Sequence, residues 1–291
     1  MIISDINLNL FRHENNEILF NHWANTENES TQKPHFHDFC ELYIFISGDV
    51  GYYIDGKYYK LDYGDIVIVR PNEIHCPIIK RLCEYERFFI KFPRNSFVNL
   101  RDDIESPAAF ITDAAYCTPS HVKLLEPIMR DVVSAMYSIS QLIRDNPLDW
   151  QTQAYSRLLL ILSLINRGVC GNQLYKTSSV MPVLLEQILE YVNREFKNPV
   201  TAEEAARHFG ITNSYLSKLF SKYLGIGFIQ YLNAKRISHA KILLSSDVSV
   251  TEACYECGFS DSSHFISVFK KQVGMTPLKY KKQGDSKINY I

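Results

Sequence analysis

The chain has 291 residues, of which 46% are hydrophobic and 22% charged, and its formal net charge is −1. This length supports two domains, each with its own core, and the composition excludes a disordered or fibrous protein. No apolar run approaches the roughly 18 residues of a membrane helix, and the N-terminus lacks the pattern of a secretory signal, so we expect a cytoplasmic protein. Seven cysteines, an odd number, fit reduced thiols better than a disulfide framework.

The charge is unevenly distributed along the chain. From Ser178 to the C-terminus there are 14 basic and 10 acidic side chains, a local charge of +4, whereas the preceding part carries −5. A nucleic-acid-binding segment is expected to be locally basic, but an imbalance of this size is also common on solvated surfaces. Charge alone therefore leaves the partner of this segment open.

The region from about residue 18 to 95 has the pattern of a small β-barrel. Short runs rich in Tyr, Phe, Ile and Val predict strands over residues 41–47 and 64–70. Between them, Asp55-Gly56 is a strong signal for a two-residue hairpin, because glycine tolerates positive φ. Closely spaced strands joined by turn residues indicate a barrel or a sandwich.

A cluster of potential ligands lies in this region. His35 and His37 are spaced to face the same side of a strand, Glu41 can join them, and His75 follows the next predicted strand. The pattern resembles the two motifs of the cupin barrel, although the leading glycine of the first motif is missing. The matching residues are His35, His37, Glu41 and Gly48, followed by Gly64, Pro71 and His75. The resemblance implies that the three histidines and the glutamate can hold one ion, and such ligands suit iron, manganese, nickel or zinc.

The same cluster has two other interpretations. Barrel interiors also keep polar side chains as a hydrogen-bonded network, or use them to hold an organic ligand. We favour an effector pocket that requires no cofactor, and keep a divalent metal at His35, His37, Glu41 and His75 as the alternative. Cys40 and Cys76 stand beside the cluster as candidates for a metal or thiol sensor. The predicted pocket residues are His35, His37, Glu41, Tyr43, His75 and Trp23.

The middle of the chain changes to helical spacing. Apolar residues recur at this spacing from Val122 onward and predict helices over about 120–168. These helices either pack back on the barrel or pair with a second copy of the chain in a dimer. The polar segment 171–180 has no such pattern and is the predicted linker, which leaves residues 1–170 and 181–291 as the two domains.

The C-terminal domain contains one local pattern twice. A pair of small residues, a glycine in a turn and an aromatic-rich second helix are the parts of a helix-turn-helix. The pattern predicts one unit over about 201–224, a connecting helix over 228–245 and a second unit over about 249–273. The corresponding residues are Ala205, Ala206, Gly210, Tyr215, Leu216, Leu219 and Phe220, then Ala253, Cys254, Gly258, His264, Phe265, Val268 and Phe269.

The second copy and its flanks, from Ser249 to Tyr280, closely resemble the signature of the AraC/XylS transcription regulators, and the resemblance extends over about 184–282. It implies a bacterial activator or repressor whose two recognition helices enter adjacent segments of the major groove, about one turn (~34 Å) apart. It also implies that the barrel binds an effector and forms a dimer. Sugars are common effectors in the family, and Trp23 offers a ring on which a sugar can stack.

The resemblance also implies which side chains face DNA. Lys218 and Ser267 stand where the family often has arginine, so the second unit lacks the side chain best suited to guanine. Recognition of the DNA sequence by that unit is expected to be weaker or to depend more on DNA shape. The expected base-facing residues are Asn213, Ser214, Ser217, Lys218, Ser262, Ser263, His264 and Ser267. The expected phosphate contacts are Lys222, Lys270 and Lys271.

We therefore predict a two-domain α+β protein, with an N-terminal cupin-like β-barrel and appended helices followed by an all-α tandem helix-turn-helix domain. The predicted function is effector-controlled, sequence-specific DNA binding by a homodimer, without catalytic residues. Its partners are double-stranded DNA, a small-molecule effector and, in an activator, RNA polymerase. The competing hypotheses are a metal-dependent cupin enzyme and a metal sensor, each fused to a DNA-binding module.

Overall fold

The computed structural model describes residues 6–13, 16–27, 30–31, 33–79, 83–97, 106–113, 118–171, 181–246 and 248–288. The strands are β1 (Ile6–His13), β2 (Asn16–Glu27), β3 (Ser30–Thr31), β4 (Phe39–Ser47), β5 (Val50–Ile54), β6 (Lys57–Lys60), β7 (Asp65–Val69), β8 (His75–Ile79), β9 (Cys83–Pro93) and β10 (His121–Lys123). The helices are α1 (Ala109–Thr112), α2 (Glu126–Asp145), α3 (Trp150–Cys170), α4 (Val183–Glu195), α5 (Ala202–His208), α6 (Asn213–Leu224), α7 (Phe228–Leu244), α8 (Val250–Glu256), α9 (Ser262–Val273) and α10 (Pro277–Ile288). Among these residues, no helix has the length and apolar character needed to cross a bilayer.

Two sheets form the N-terminal domain. The larger sheet has the strand order β1-β2-β9-β4-β7-β10, and the smaller has the order β3-β8-β5-β6. Side chains on β4 alternate between two cores: Leu42 and Ile44 pack under α2 and α3, whereas Tyr43 and Phe45 fill the space between the sheets. The predicted β-rich domain with appended helices is confirmed, and its sheet begins at Ile6 instead of near residue 18.

The C-terminal domain covers the outer face of the smaller sheet. Tyr53 of β5 and Ile78 of β8 belong to one hydrophobic cluster with Leu185 of α4 and Leu232 of α7. Strands β5 and β8 are consequently buried on both faces, and a strand buried in this way has a continuous apolar run instead of an alternating one. The two domains share a core at this contact.

The helical middle differs from the prediction at both ends. Val122, expected in a helix, lies in β10, which pairs with β7 in antiparallel register, and α2 begins only at Glu126. The spacing was misleading because a short strand beside a helix also places apolar residues three and four positions apart. At the other end, α3 continues through Gly168, where a Cβ atom would lie 2.5 Å from Cδ2 of Leu124. That glycine serves close packing and does not end the helix.

The C-terminal helices follow the predicted repeat. Helices α5 and α6 form the first helix-turn-helix, α8 and α9 form the second, and α7 connects them. Thr201 and Glu204 form a capping box, in which the amide of Glu204 donates to Thr201 Oγ1 at 3.1 Å and the amide of Thr201 donates to Glu204 Oε2 at 2.9 Å. Of the predicted linker 171–180, all but Gly171 lies outside the described residues.

Candidate nucleic-acid interface and barrel pocket

The first recognition helix, α6, presents a polar face to solvent. Thr212 caps it by accepting a hydrogen bond from the amide of Tyr215 at 3.2 Å, which satisfies one of the free amides of the first turn. Leu216 and Phe220 turn inward and are fully buried. The opposite face exposes all the predicted contact residues of this unit, namely Asn213, Ser214, Ser217, Lys218 and Lys222.

The second recognition helix, α9, has the same arrangement. Asp261 caps it by accepting from the amide of His264 at 2.6 Å, and Phe265 and Phe269 are buried. Ser262 departs from the prediction, because it is half-buried and its hydroxyl hydrogen-bonds to Cys254. The remaining predicted residues of this unit are exposed, namely Ser263, His264, Ser267, Lys270 and Lys271.

Helix α7 fixes the two units to each other. Its 17 residues span about 26 Å at 1.5 Å per residue. Arg236, buried in this helix, donates from Nε to the carbonyl of Phe196 and from Nη2 to the carbonyl of Asn198, both at 2.8 Å. These carbonyls follow the end of α4, so the guanidinium satisfies groups that the helix leaves free. The sequence analysis missed this residue, since an arginine in a surface-like position gives no sign of being buried.

A cavity of about 260 Å³ opens into the barrel. Four predicted pocket residues line it: Trp23, His35, Glu41 and Tyr43. His75 lies behind this wall, and His37 faces a different cavity, described below. The remaining lining residues are Asn21, Tyr52, Pro77, Arg87, Phe89 and Lys91.

The basic residues of this cavity were missed by the sequence analysis. Arg87, Phe89 and Lys91 occupy alternate positions of β9, so they face the same side of the sheet. The guanidinium carbon of Arg87 lies 5.2 Å from the centre of the Trp23 ring, and Lys91 Nζ lies 3.0 Å from Glu41 Oε2. The alternation was readable in the sequence, but the register that places β9 beside β4 was not.

The three predicted histidines come together at one edge of the cavity. The ring centres of His35 and His75 are 4.4 Å apart, and those of His37 and His75 are 4.8 Å apart. Glu41 Oε2 lies 2.9 Å from Nε2 of His37 and 3.9 Å from Nε2 of His75. His35 and His75 also exchange backbone hydrogen bonds of 3.1 and 2.9 Å, which hold the segment of residues 35–38 against β8.

Burial dominates the electrostatics of this cluster. It lowers the pKa of His75 to about 3 and also lowers the pKa of His35, so both rings are neutral near pH 7. Burial alone would raise the pKa of Glu41, but the hydrogen bond from His37 and the ammonium of Lys91 outweigh it and lower that pKa. The neutral rings of His35 and His75 therefore lie beside an ionised carboxylate.

The cysteines beside the cluster do not face it. Cys40 belongs to the core under α2 and α3, and Cys76 belongs to the core shared with the C-terminal domain. Each precedes or follows an inward-facing residue on its strand, so alternation turns it to the outer side. Burial raises the pKa of both thiols to about 12, which leaves them as unreactive thiols. The structure thus places neither candidate sensor cysteine in the histidine cluster.

Residues 35–38 touch both domains. His35 and His37 belong to the histidine cluster, whereas Phe36 and Asp38 point to the C-terminal domain. Asp38 pairs with the buried ammonium of Lys241 in α7, and that ammonium also lies 5.1 Å from the centre of the Phe36 ring. A second cavity, of about 400 Å³, lies between the domains here and is lined by Phe36, His37, Asp38, Phe39, Lys241, Ser245, Gln272, Val273, Met275 and Tyr280.

Comparison with known proteins assigns each half of the chain. A profile of the AraC-like ligand binding domain matches residues 22–152, and a profile of a helix-turn-helix domain matches residues 205–283. YijO of Escherichia coli (strain K12), an uncharacterised HTH-type transcriptional regulator, is 36% identical over 151 residues, 51% of this chain and 53% of that protein. An uncharacterised HTH-type transcriptional regulator of Staphylococcus aureus (strain COL) is 28% identical over 243 residues, 81% of this chain and 30% of that protein.

The chain spans about half or less of the length of these curated relatives. Among solved structures, the C-terminal domain of AraT, a response regulator from Geobacillus stearothermophilus, is 27% identical, with a TM-score of 0.35 and coverage of 36% of this chain and 88% of that one. The two domain profiles fall on the barrel with its helices and on the tandem helix-turn-helix. The chain belongs to the AraC family of transcriptional regulators, with an N-terminal ligand-binding domain and a C-terminal DNA-binding domain.

Proposed function

We propose that a small molecule bound in the barrel cavity controls how this regulator binds its operator. The observation that carries the proposal is the double contact of residues 35–38, which line the barrel site on one side and hold α7 on the other. An effector can shift a population only if it binds one arrangement better than another. A ligand that displaces or orders this segment satisfies that condition.

The proposed DNA contacts are the exposed polar and basic residues of α6 and α9. We propose that Lys218 on α6 donates to a base edge and that Lys222, Lys270 and Lys271 contact phosphates. Support comes from their common exposure on faces opposite the buried Phe220 and Phe269. Half-buried Ser262 is the weakest member of the predicted set, and base reading by α9 falls mainly to the remaining exposed residues, which are Ser263, His264 and Ser267.

A carbohydrate is the effector class that the cavity residues favour. The Trp23 ring can stack on the apolar face of a sugar, and its Nε1 atom, like Oδ1 of Asn21, is buried without a hydrogen-bond partner among the described residues. Glu41, Arg87 and Lys91 supply charged acceptors and donors around these two groups. Buried polar groups of this kind need a partner, and sugar hydroxyls can both donate and accept.

We propose that a homodimer associates through the outer face of α3. Leu160 in this helix is 50% exposed, beside the partly buried Leu159. We expect Leu160→Glu to convert a dimer into a monomer in light scattering without changing the circular dichroism spectrum. A monomeric parent protein, or a dimeric variant, would contradict this placement.

Electrophoretic shifts with the promoter fragment next to its own gene test the regulator. We expect a sequence-specific complex that weakens with salt and whose affinity changes with one member of a sugar panel. A fragment that shifts no better than random DNA, with and without sugars, would refute the proposal. The same fragment fused to a reporter distinguishes activation, which involves RNA polymerase, from repression.

A pair of variants tests the coupling segment. Asp38→Ala removes the partner of Lys241 in residues 35–38, whereas Asp55→Ala removes a different contact between the domains, the 2.8 Å ion pair with Lys235. We expect Asp38→Ala to reduce the effector-dependent change in DNA affinity and Asp55→Ala to retain it. Equal effects of the two variants would show that the segment has no special part in coupling.

A further inference from the structure

The three clustered histidines share one hydrogen-bonding pattern. In each ring, Nδ1 lies within hydrogen-bond distance of a backbone carbonyl two residues away. The carbonyls belong to Lys33, Phe39 and Glu73, at 3.2, 3.1 and 2.9 Å from His35, His37 and His75. A carbonyl only accepts, so Nδ1 carries the ring proton in all three. This leaves Nε2 of each ring on the side away from the carbonyl, and Nε2 of His37 faces the carboxylate of Glu41.

The three rings bring possible ligand atoms close together. One ring nitrogen from each of His35, His37 and His75 lies within 4.8 Å of the other two. Nε2 of His75 is buried, and no described residue gives it a hydrogen-bond partner, although the side chain is only 1% exposed. A backbone carbonyl that fixes the tautomer from behind is the usual outer support of a metal-binding histidine. Without an ion, the buried Nε2 atom of His75 gains nothing from this arrangement.

The contact between His37 and Glu41 also supports a metal site. Nδ1 of His37 already donates to a carbonyl, yet Nε2 lies 2.9 Å from the carboxylate of Glu41. Nε2 of His37 and the carboxylate of Glu41 are therefore close enough to bind the same cation, which would replace their direct contact. The ammonium of Lys91, which now neutralises Glu41 at 3.0 Å, belongs to a side chain that is 22% exposed and free to turn toward solvent.

We propose that His35, His37 and His75 bind one divalent transition-metal ion through Nε2, with Glu41 as the fourth ligand. Three imidazoles and one carboxylate suit Zn²⁺, Fe²⁺, Co²⁺ or Ni²⁺, whereas Ca²⁺ and Mg²⁺ require oxygen ligands. Bonds of about 2.1 Å bring ligand nitrogens to about 3.4 Å from each other, so the rings close by roughly 1 Å. Because His35 and Glu41 line the barrel cavity, the ion would face any effector held there.

Cobalt titration of the full chain without an affinity tag tests this site. The protein is stripped with chelator and exchanged into chelator-free buffer. It is then titrated with Co²⁺, whose visible absorption reports nitrogen ligation, and Zn²⁺ is added last as a competitor. We expect one equivalent of Co²⁺ per chain and its displacement by Zn²⁺. Binding of less than about 0.2 equivalents by the parent protein would overturn the proposal whatever the variants do.

Matched histidine variants locate the site. His37→Gln and His75→Gln are expected to weaken Co²⁺ binding more than about 10-fold. His121→Gln is the control, because His121 is also buried in the barrel but lies 3.1 Å from Asp65, outside the cluster. If His75→Gln fails to fold, as judged by circular dichroism, the less buried His35 supplies the second variant, His35→Gln. Unchanged affinity in folded variants of the cluster would place the ion elsewhere and refute the assignment.

The tests of the metal site and of the proposed function have independent outcomes. Metal binding is measured without DNA, so a negative result leaves the promoter shift untouched. A regulator that binds one ion per chain but shifts DNA equally well with and without it would retain the site and show that the ion does not act as the effector. A protein that binds metal and fails to shift its promoter would refute the proposed function alone.

Discussion

The hydroxyl of Tyr53 in the barrel donates to the hydroxyl of Tyr231 in α7 at 2.8 Å, and both side chains are fully buried. The same Tyr53 oxygen accepts from the amide of Gly56 in the hairpin at 2.9 Å. One phenol thus connects a turn of the barrel to the helix that spaces the two DNA-reading units. Burial raises the pKa of both tyrosines, so the pair stays protonated across the physiological range.

This chain of bonds predicts unequal effects of removing either hydroxyl. Tyr231→Phe removes one hydrogen bond, and we expect it to lower the free energy of unfolding by about 1 kcal/mol. Tyr53→Phe also leaves the buried amide of Gly56 without its acceptor, and a loss of about 2–3 kcal/mol is expected. Urea unfolding followed by fluorescence measures both. The hydrogen-bond roles given to these two tyrosines are wrong if Tyr231→Phe lowers the free energy of unfolding more than Tyr53→Phe does.

The two recognition helices are expected to contribute unequally to operator choice. Lys218→Ala on α6 removes a donor that can reach a base edge, whereas Ser267→Ala on α9 removes only a short hydroxyl. We expect Lys218→Ala to reduce the preference for the cognate promoter over a scrambled fragment by about 10-fold, and Ser267→Ala to change it less. Competition shifts at fixed salt measure this ratio. A larger loss of specificity in Ser267→Ala would reverse the division between the helices.

The turn glycines of the two units predict a second asymmetry. Gly210 and Gly258 both have positive φ, of 64° and 81°, so alanine is strained at either position by about 1 kcal/mol. A Cβ on Gly258 would also lie 2.6 Å from the carbonyl oxygen of Phe196 and 2.7 Å from that of Lys197, whereas one on Gly210 meets nothing within 4 Å. We expect Gly258→Ala to lower the unfolding midpoint clearly more than Gly210→Ala. Similar midpoints for both variants would mean that the backbone after α4 moves away from the added Cβ atom without a loss of stability.

Acid is expected to destabilise the barrel through His22. This side chain is buried with Nε2 2.8 Å from Glu86 and Nδ1 3.0 Å from the hydroxyl of Ser140, and burial lowers its pKa. Below about pH 6.5 the unfolded chain binds a proton that the folded chain resists, so stability falls as pH falls, by at most about 1.4 kcal/mol per pH unit.

The variant His22→Gln should show a shallower decline between pH 7 and 5.5 in urea unfolding. His208→Gln is the control, because His208 is exposed on the first helix-turn-helix. A decline in His22→Gln that matches the parent protein would assign the acid sensitivity to other buried groups.

Local signals in the sequence were sufficient for the C-terminal domain. The capping box of Thr201 and Glu204, the caps at Thr212 and Asp261 and the turn glycines each depend on neighbours a few residues away, and the structure contains them all. Predictions failed where the determinant is distant in the chain. Val122 is in a strand because β7 offers an edge to pair with, and no local pattern reports that edge.

The residues of the candidate site also fall into two groups: those that local spacing identifies and those that depend on contacts distant in the chain. His35, His37, Glu41 and His75 were identified from their spacing in the sequence, although His35 and His37 precede β4 and are not placed by strand alternation. Lys91, which pairs with Glu41, required the register between β4 and β9. The contact of Asp38 with Lys241 required the docking of two domains, and a buried lysine has no signature in sequence, because most lysines are exposed.

The double contact of residues 35–38 has a consequence for measurements on the isolated protein. Coupling free energy is reciprocal, so an effector that changes operator affinity by some factor must find its own affinity changed by the same factor when the operator is bound. If the proposed coupling operates, the promoter is itself a modulator of effector binding to the barrel. The dissociation constant of the effector measured on DNA-free protein would then differ from the one that applies to operator-bound protein.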